Sequence, residues 1–247
     1  MQGLVMPDIK KISYVIPVYN EEGNIENLYN EIISVADTLP YEYEILFIDD
    51  CSKDNSLNII KSLTEKDKKV KYISFEKNSG QSAALYTGFQ NATGDTIITL
   101  DADLQNDPKD IPMMLEHYKN YDMINGWRKN RQDILSKKIG SKIGNAVRNW
   151  FTKENIHDTG CALKVMRADL LKKIKGFKGF HRFLPTLMRL EGAKVIEVVV
   201  NHRNRYTGIS KYNNTKRAIQ GLYDLIGVRW MISRHIRPII KEKKLEE

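Results

Sequence analysis

The chain has 247 residues, 41% hydrophobic and 28% charged, with a formal net charge of +8. That is an ordinary globular composition, long enough for one large domain, or a domain with an appendage, around a sizeable core. The surplus of cations admits anionic membranes or phosphorylated substrates as partners; nucleic acid is excluded because no zinc spacing, basic zipper or aromatic-rich RNA-binding strand is present.

In chain order, 12–18 (ISYVIPV) reads as a buried strand, closed by Tyr19-Asn20-Glu21-Glu22-Gly23. Ile25, Leu28, Tyr29, Ile32, Ile33 and Ala36 then recur at helical spacing up to Pro40. A second strand, 44–48 (EILFI), ends in Asp49-Asp50, and a cap-rich turn, 52–56, precedes a helix whose face is Leu57, Ile60 and Leu63. A third strand, 70–75, leads to Asn78-Ser79-Gly80-Gln81 and an alanine-rich helix over 82–92. Strands alternating with helices on such short connections predict a parallel sheet, whose ligands bind beyond the carboxyl ends of the strands. The polar clusters 19–22, 49–52, 78–81 and 101–105 all fall at that edge.

The fourth strand belongs to the stretch around which the chain is organised, 96–108, TIITLDADLQNDP. Thr96 to Leu100 are β-branched or apolar and run directly into Asp101-Ala102-Asp103, then Gln105, with Asp107-Pro108 opening a helix over 108–118. Carboxylates at the end of a buried strand are costly unless something pairs them. Side chains two apart in an extended segment point the same way, so Asp101 and Asp103 are expected to face one cation, with Gln105 following. An all-oxygen set suits Mg²⁺ or Mn²⁺ that carries phosphate oxygens as further ligands.

Beyond this stretch, 122–126 is expected as a strand. Residues 127–148 then carry Arg128, Lys129, Arg131, Lys137, Lys138, Lys142 and Arg148 above an apolar stripe of Ile134, Leu135, Ile139, Ile143 and Val147. That is a basic amphipathic helix, resting on a membrane or lining an anionic site. A loop and strand follow over 157–166, a helix over 181–190, a strand over 195–200, and a glycine-containing cationic loop over 202–212. The helix from Thr215 to about Arg234 carries apolar residues with Arg229 and Arg234 among them, and is either interfacial or packed on the second half. No run approaches the roughly 20 apolar residues that span a bilayer, no apolar signal segment precedes the first strand, and Cys51 and Cys161 have neither disulfide-framework nor metal-ligand spacing. The expected place is a reducing compartment: cytoplasmic, peripheral on the cytosolic face of a membrane.

VIPVYNE (15–21), FIDDCSKDNS (47–56), NSGQSAALYTGF (78–89) and LDADLQNDP (100–108), in that order, resemble glycosyltransferase family 2. DTGCALKVMR (158–167) and GISKY (208–212) resemble its dolichol- or polyprenyl-phosphate sugar synthase branch. The resemblance covers about 12–230 and implies an α/β fold of GT-A type: a Rossmann-like, mainly parallel sheet with helices on both faces and an acceptor-binding extension. It implies a domain over 1–212, with a nucleotide-sugar half at about 12–106 and an acceptor half at 107–212, then a helical segment and charged tail at 213–247. It further implies a GDP- or UDP-linked sugar donor, a divalent metal, and a hexosyl transfer of mannosyl or glucosyl type.

By the family pattern, Pro17, Tyr19 and Glu21 would hold the nucleoside, with Asp49 near the base or ribose. Asp101 and Ala102 would line the donor, Asp103 with Gln105 would hold the metal, assisted by Asp101, and Arg205 and Lys211 would close over the diphosphate. A lipid monophosphate, with a second pKa near 6, is already largely a dianion. An enzyme acting on it can therefore dispense with a general base and bind the anion instead, a role for Arg128, Arg131 and Lys137. Asp158 stays open between a base, in a relative that uses a hydroxyl acceptor, and a structural carboxylate orienting a cation. Longer members of the family continue into membrane helices, so a membrane surface or a separate membrane-spanning subunit would anchor this chain. The alternatives are transfer to a hydroxyl of a glycan or lipid, or a donor-binding protein without catalysis, against which the intact Asp101, Asp103, Gln105, Arg205 and Lys211 argue.

Overall fold

The computed structural model describes residues 8–129, 135–203 and 214–236, excepting the side chains of 135–143 and 214–219. Among these residues, seven strands form one sheet in the order β3-β2-β1-β4-β6-β5-β7. They are β1 (Lys11–Val18), β2 (Glu42–Asp49), β3 (Val70–Ser74), β4 (Thr96–Thr99), β5 (Met123–Trp127), β6 (Lys164–Arg167) and β7 (Val195–Val199). All neighbouring strands run parallel except β6, which is antiparallel to both β4 and β5. The sheet is thus continuous through both halves of the chain, and one reversed strand joins them.

Helices cover both faces. Along β1, Ile12, Tyr14, Ile16 and Val18 join one apolar cluster with α1 (Ile25–Ala36), α2 (Ser56–Lys66) and α4 (Ile111–Glu116). Val15, pointing the other way, joins a second cluster with α3 (Gln81–Asn91), α6 (Ala168–Leu171), α7 (Leu184–Leu190) and α8 (Asn214–Arg234). This is the two-residue period of a strand buried on both sides. Helix α3 lies so close to β1 that a Cβ at Gly88 would sit 2.3 Å from Val15 Cγ1. A larger residue there would overpack the core at a cost of about 1–3 kcal/mol.

The expected helix over 108–118 is shorter and composite: a 3₁₀ turn at Pro108–Asp110, capped by the Asp107 carboxylate, precedes α4. The C-terminal part of the basic stretch lies in α5 (Leu135–Thr152). Ile134 and the side chains of Leu135, Lys137, Lys138, Ile139, Lys142 and Ile143 lie outside the described residues, and at Val147 and Arg148 the expected sidedness is reversed. Arg148 is buried, its guanidinium spent on Ile156 O, Thr159 Oγ1 and two asparagines, whereas Val147 is exposed. Acceptors from the following loop outweigh the pull of solvent on that one cation. Helix α8 is both packed and exposed. Leu225 and Val228 are buried in the second cluster while Leu222, Tyr223, Ile226 and Trp230 face outward. No helix among the described residues is long and apolar enough to cross a membrane.

Candidate active site

Strands β1, β2, β3 and β4 are parallel, so their carboxyl ends share one edge of the sheet. The four polar clusters there are linked to one another. Asn20, after β1, donates its backbone N–H to Ser52 Oγ (3.0 Å) and accepts from Lys53 N at its side-chain oxygen (2.7 Å). Asp49 accepts from Ser52 N and Ser74 Oγ, and Asp50 accepts from Asn78 Nδ2, Ser79 N (2.6 Å) and Gly80 N (2.8 Å). Gln81 Nε2 then donates to Asp101 Oδ1 at 2.9 Å. These bonds run around the rim from β1 to the carboxylates after β4. Asp49, Asp50 and Asp103 are buried, and Pro17, Tyr19, Glu21 and Asp101 are half-buried on the same edge. Glu21 donates its backbone N–H to Ser56 Oγ, and its carboxylate accepts from Asn24 Nδ2.

Four described non-glycine residues have positive φ: Asn20 (53°), Cys51 (59°), Leu104 (60°) and Lys153 (56°). The first three stand immediately after β1 and β2 and inside the carboxylate turn after β4. Backbone strain of this kind persists only where surroundings over-determine it, and it gathers at functional sites. It also corrects the expected shape of the Asp101–Gln105 stretch. The strand ends at Thr99, and Asp101 to Leu104 form a turn, not an extended segment. Alternation along a strand therefore does not set the directions of Asp101 and Asp103; they stand on a turn in which Leu104 takes the left-handed region. Among the described residues no group of three His, Cys, Asp or Glu side chains is assembled for a metal. The chain offers two carboxylates and an amide, an oxygen set that fits Mg²⁺ or Mn²⁺ only if other ligands complete the shell.

The second half brings Asp158 and Arg128 together. Arg128 Nε donates to Asp158 Oδ2 (2.7 Å), Nη2 to Oδ1 (3.0 Å), and the Arg128 backbone N–H also reaches Oδ2 (3.2 Å). Burial alone would push the Asp158 carboxyl up, but the hydrogen bonds and charge of Arg128 outweigh it and hold it below the ordinary carboxylate value. The arginine is shifted upward by the same pairing, against its own burial. Engaging Nε and Nη2 leaves the Nη1 end of the fork for another acceptor. Arg131 and the side chain of Lys137 lie outside the described residues, as do Arg205 and Lys211.

The loop that carries Asp158 is held residue by residue, by side chains that sequence reasoning missed or misjudged. Glu197 of β7 accepts from His157 N (2.7 Å) and Asp158 N (2.9 Å), and Asn125 of β5 donates to Asp158 O (2.9 Å). Arg148 of α5 donates to Ile156 O and Thr159 Oγ1. Lys164 of β6, fully buried, donates to the carbonyls of Thr159 and Cys161. Burial lowers its pKa, offset in part by Cys161, Asp158 and Asp101 nearby. Glu197 and Lys164 were marked in the sequence only as charged side chains in otherwise apolar strands, and Asn125 and Arg148 carried no such mark.

Residues 13–175 match the model of Glycosyl transferase family 2. The chain is 34% identical over 234 residues to dodecaprenyl-phosphate galacturonate synthase of Rhizobium johnstonii, covering 92% of this chain and 69% of that one. It is 37% identical over 225 residues to undecaprenyl-phosphate 4-deoxy-4-formamido-L-arabinose transferase of Klebsiella pneumoniae, covering 90% and 68%. Among solved structures, glucosyl-3-phosphoglycerate synthase from Mycobacterium tuberculosis with Mg²⁺ and uridine diphosphate superposes with a TM-score of 0.65 at 16% identity, over 88% of this chain and 80% of that one. Its complex with Mn²⁺, uridine diphosphate and glucosyl-3-phosphoglycerate gives 0.63 at 18% identity, over 92% and 80%. That likeness is one of fold, the GT-A arrangement of a mostly parallel mixed sheet.

Proposed function

Because the chain belongs to glycosyl transferase family 2, we propose that it transfers a sugar, with inversion, from a nucleotide donor to the phosphate of a polyprenyl phosphate. The relatives' names carry this acceptor class. They also carry a uronic acid and a formamido pentose, so the donor class is wider than the mannose or glucose expected from the resemblance.

The observation that carries the acceptor reading is the engagement of both Asp158 oxygens by Arg128. A carboxylate held below its ordinary pKa and saturated by a guanidinium is a poor general base. A hydroxyl acceptor needs such a base; a phosphate dianion does not. In the reaction an acceptor phosphate oxygen attacks the anomeric carbon, the bond to the nucleoside diphosphate breaks, and no proton need move. Arg128, fixed by Asp158, would present its free fork end to the acceptor phosphate, with Arg131 and Lys137 as further cations.

On the donor side, Pro17, Tyr19, Glu21 and Asp49 would hold the nucleoside, Tyr19 offering a flat face and a hydroxyl. Asp101 and Ala102 would line the sugar diphosphate, and Arg205 and Lys211 would neutralise it. Asp103, Gln105 and Asp101 would hold Mg²⁺ or Mn²⁺, which when bound supplies Lewis-acid stabilisation of the departing diphosphate. The outward Trp150 of α5 and Tyr223, Ile226 and Trp230 of α8, on helices packed together, support attachment to the cytosolic membrane surface that carries the lipid acceptor.

The test is transfer from radiolabelled nucleotide sugars to polyprenyl phosphate with Mn²⁺. An organic-soluble, mild-acid-labile product is expected. Transfer only to hydroxyl acceptors would overturn the reading.

A further inference from the structure

The carboxylate turn is braced from outside by the segment that leaves β7, and we propose that Arg203 is a positioning residue for the metal-bearing turn. The proposal rests on the reading that Asp103 and Gln105 hold the metal. Leu104, with φ at 60° and its side chain buried, leaves the turn in a conformation that it would not keep alone. The far side of the turn is pinned by backbone. Arg203 N donates to Gln105 O at 2.9 Å, and Asn106 and His202 form an antiparallel bridge. Asn201 adds a two-point contact, its N–H and side-chain amide reaching the two oxygens of Asp110 at 2.7 and 2.8 Å.

The Arg203 side chain then ties three elements together. Nη1 donates to both carboxylate oxygens of Glu31 on α1 (2.7 and 2.8 Å), and Nη2 meets Asp107 Oδ1 at 2.7 Å. Asp107 lies four residues after Asp103 and also caps the 3₁₀ turn through Lys109 N. These ion pairs line a crevice of about 280 Å³ with Asn30, Ser34, Pro108 and Lys109, and both Arg203 and Glu31 are 35% exposed. Partly solvated pairs add little to stability. What a planar fork does well is fix geometry. Here it fixes where the Asp103–Asp107 turn stands relative to α1 and the sheet.

The experiment is calorimetric binding of UDP, with GDP in a parallel arm, to the full chain in Mn²⁺ and in EDTA. It uses Arg203→Gln, Arg203→Lys and the isosteric Asp107→Asn, with Asp103→Ala as reference and melting temperatures recorded. Removing a partner that orients metal ligands typically costs tenfold or more in metal affinity. The expected result is an about tenfold smaller Mn²⁺-dependent gain in nucleotide affinity for Arg203→Gln and Asp107→Asn, with Arg203→Lys between them and wild type, and EDTA binding unchanged. The double variant carrying both Arg203→Gln and Asp107→Asn should be no worse than either single one. If Asp103→Ala loses the Mn²⁺ gain while Arg203→Gln and Asp107→Asn keep it and only melt earlier, the brace is structural and the proposal falls alone. If wild type shows no Mn²⁺ gain with either nucleotide, the metal reading fails and this proposal falls with it.

Discussion

The Arg128–Asp158 pair gives the sharpest test of the acceptor, through a double-mutant cycle. In Asp158→Asn one oxygen still accepts from Arg128, but an amide N–H now faces a guanidinium N–H where the structure has a 3.0 Å bond. The side chains are 11% and 15% exposed, so the loss falls between that of a surface pair and a fully buried one. About 2 kcal/mol of lost positioning corresponds to roughly 30-fold in kcat/KM for the acceptor. Arg128→Gln removes the positioned cation itself and should cost a similar factor. If Asp158 acts only through Arg128, the double variant should stay near 30-fold, because the second substitution removes nothing further. If Asp158 is the base, the losses are independent and multiply to about 10³ or more. The assay is sugar transfer to polyprenyl phosphate under limiting acceptor from pH 5 to 9. The rising limb near pH 6 belongs to the lipid phosphate and should survive in Asp158→Asn. Multiplying losses, together with disappearance of that limb, would refute the phosphate-acceptor argument in favour of a hydroxyl.

Two further outcomes follow from other parts of the molecule. Glu44 is buried at the opposite end of the sheet, where hydrogen bonds from Lys71, Ser13 and Thr93 outweigh burial and hold its pKa at about 2. A depressed carboxylate stabilises fully above its unfolded pKa and loses that contribution as pH falls from about 4.5 towards 2, here about 3 kcal/mol. Glu44→Gln should therefore melt about 6–12 °C lower at pH 7, with the gap narrowing as the solution is acidified; a gap constant with pH would refute the assignment. Trp150→Ser combined with Trp230→Ser should weaken sedimentation with phosphatidylcholine–phosphatidylglycerol vesicles by at least about tenfold, since each exposed indole has apolar area to bury. Unchanged binding would remove α5 and α8 from the membrane face.

Hydrophobic periodicity in the sequence was enough to determine the first half of the sheet. Strands β1 to β4, their helices and the shared rim follow from apolar runs that stop at Asn20, Asp50, Asn78 and Asp101, because a buried strand cannot continue through such residues. The turn Asp101–Gln105 was legible in composition but not in shape. A left-handed Leu104 has no sequence mark, since Leu rarely adopts that conformation without neighbours that impose it. Only tertiary structure decided that β6 runs antiparallel and that Arg148 turns inward. It alone decided that Arg128 is committed to Asp158, that Glu197 and Lys164 hold the loop beneath them, and that Arg203 reaches Glu31 across 172 residues. Local pattern reports which side chains avoid water. Which buried charge meets which depends on where distant strands come to lie, and the energy of a charge pair resides in that separation.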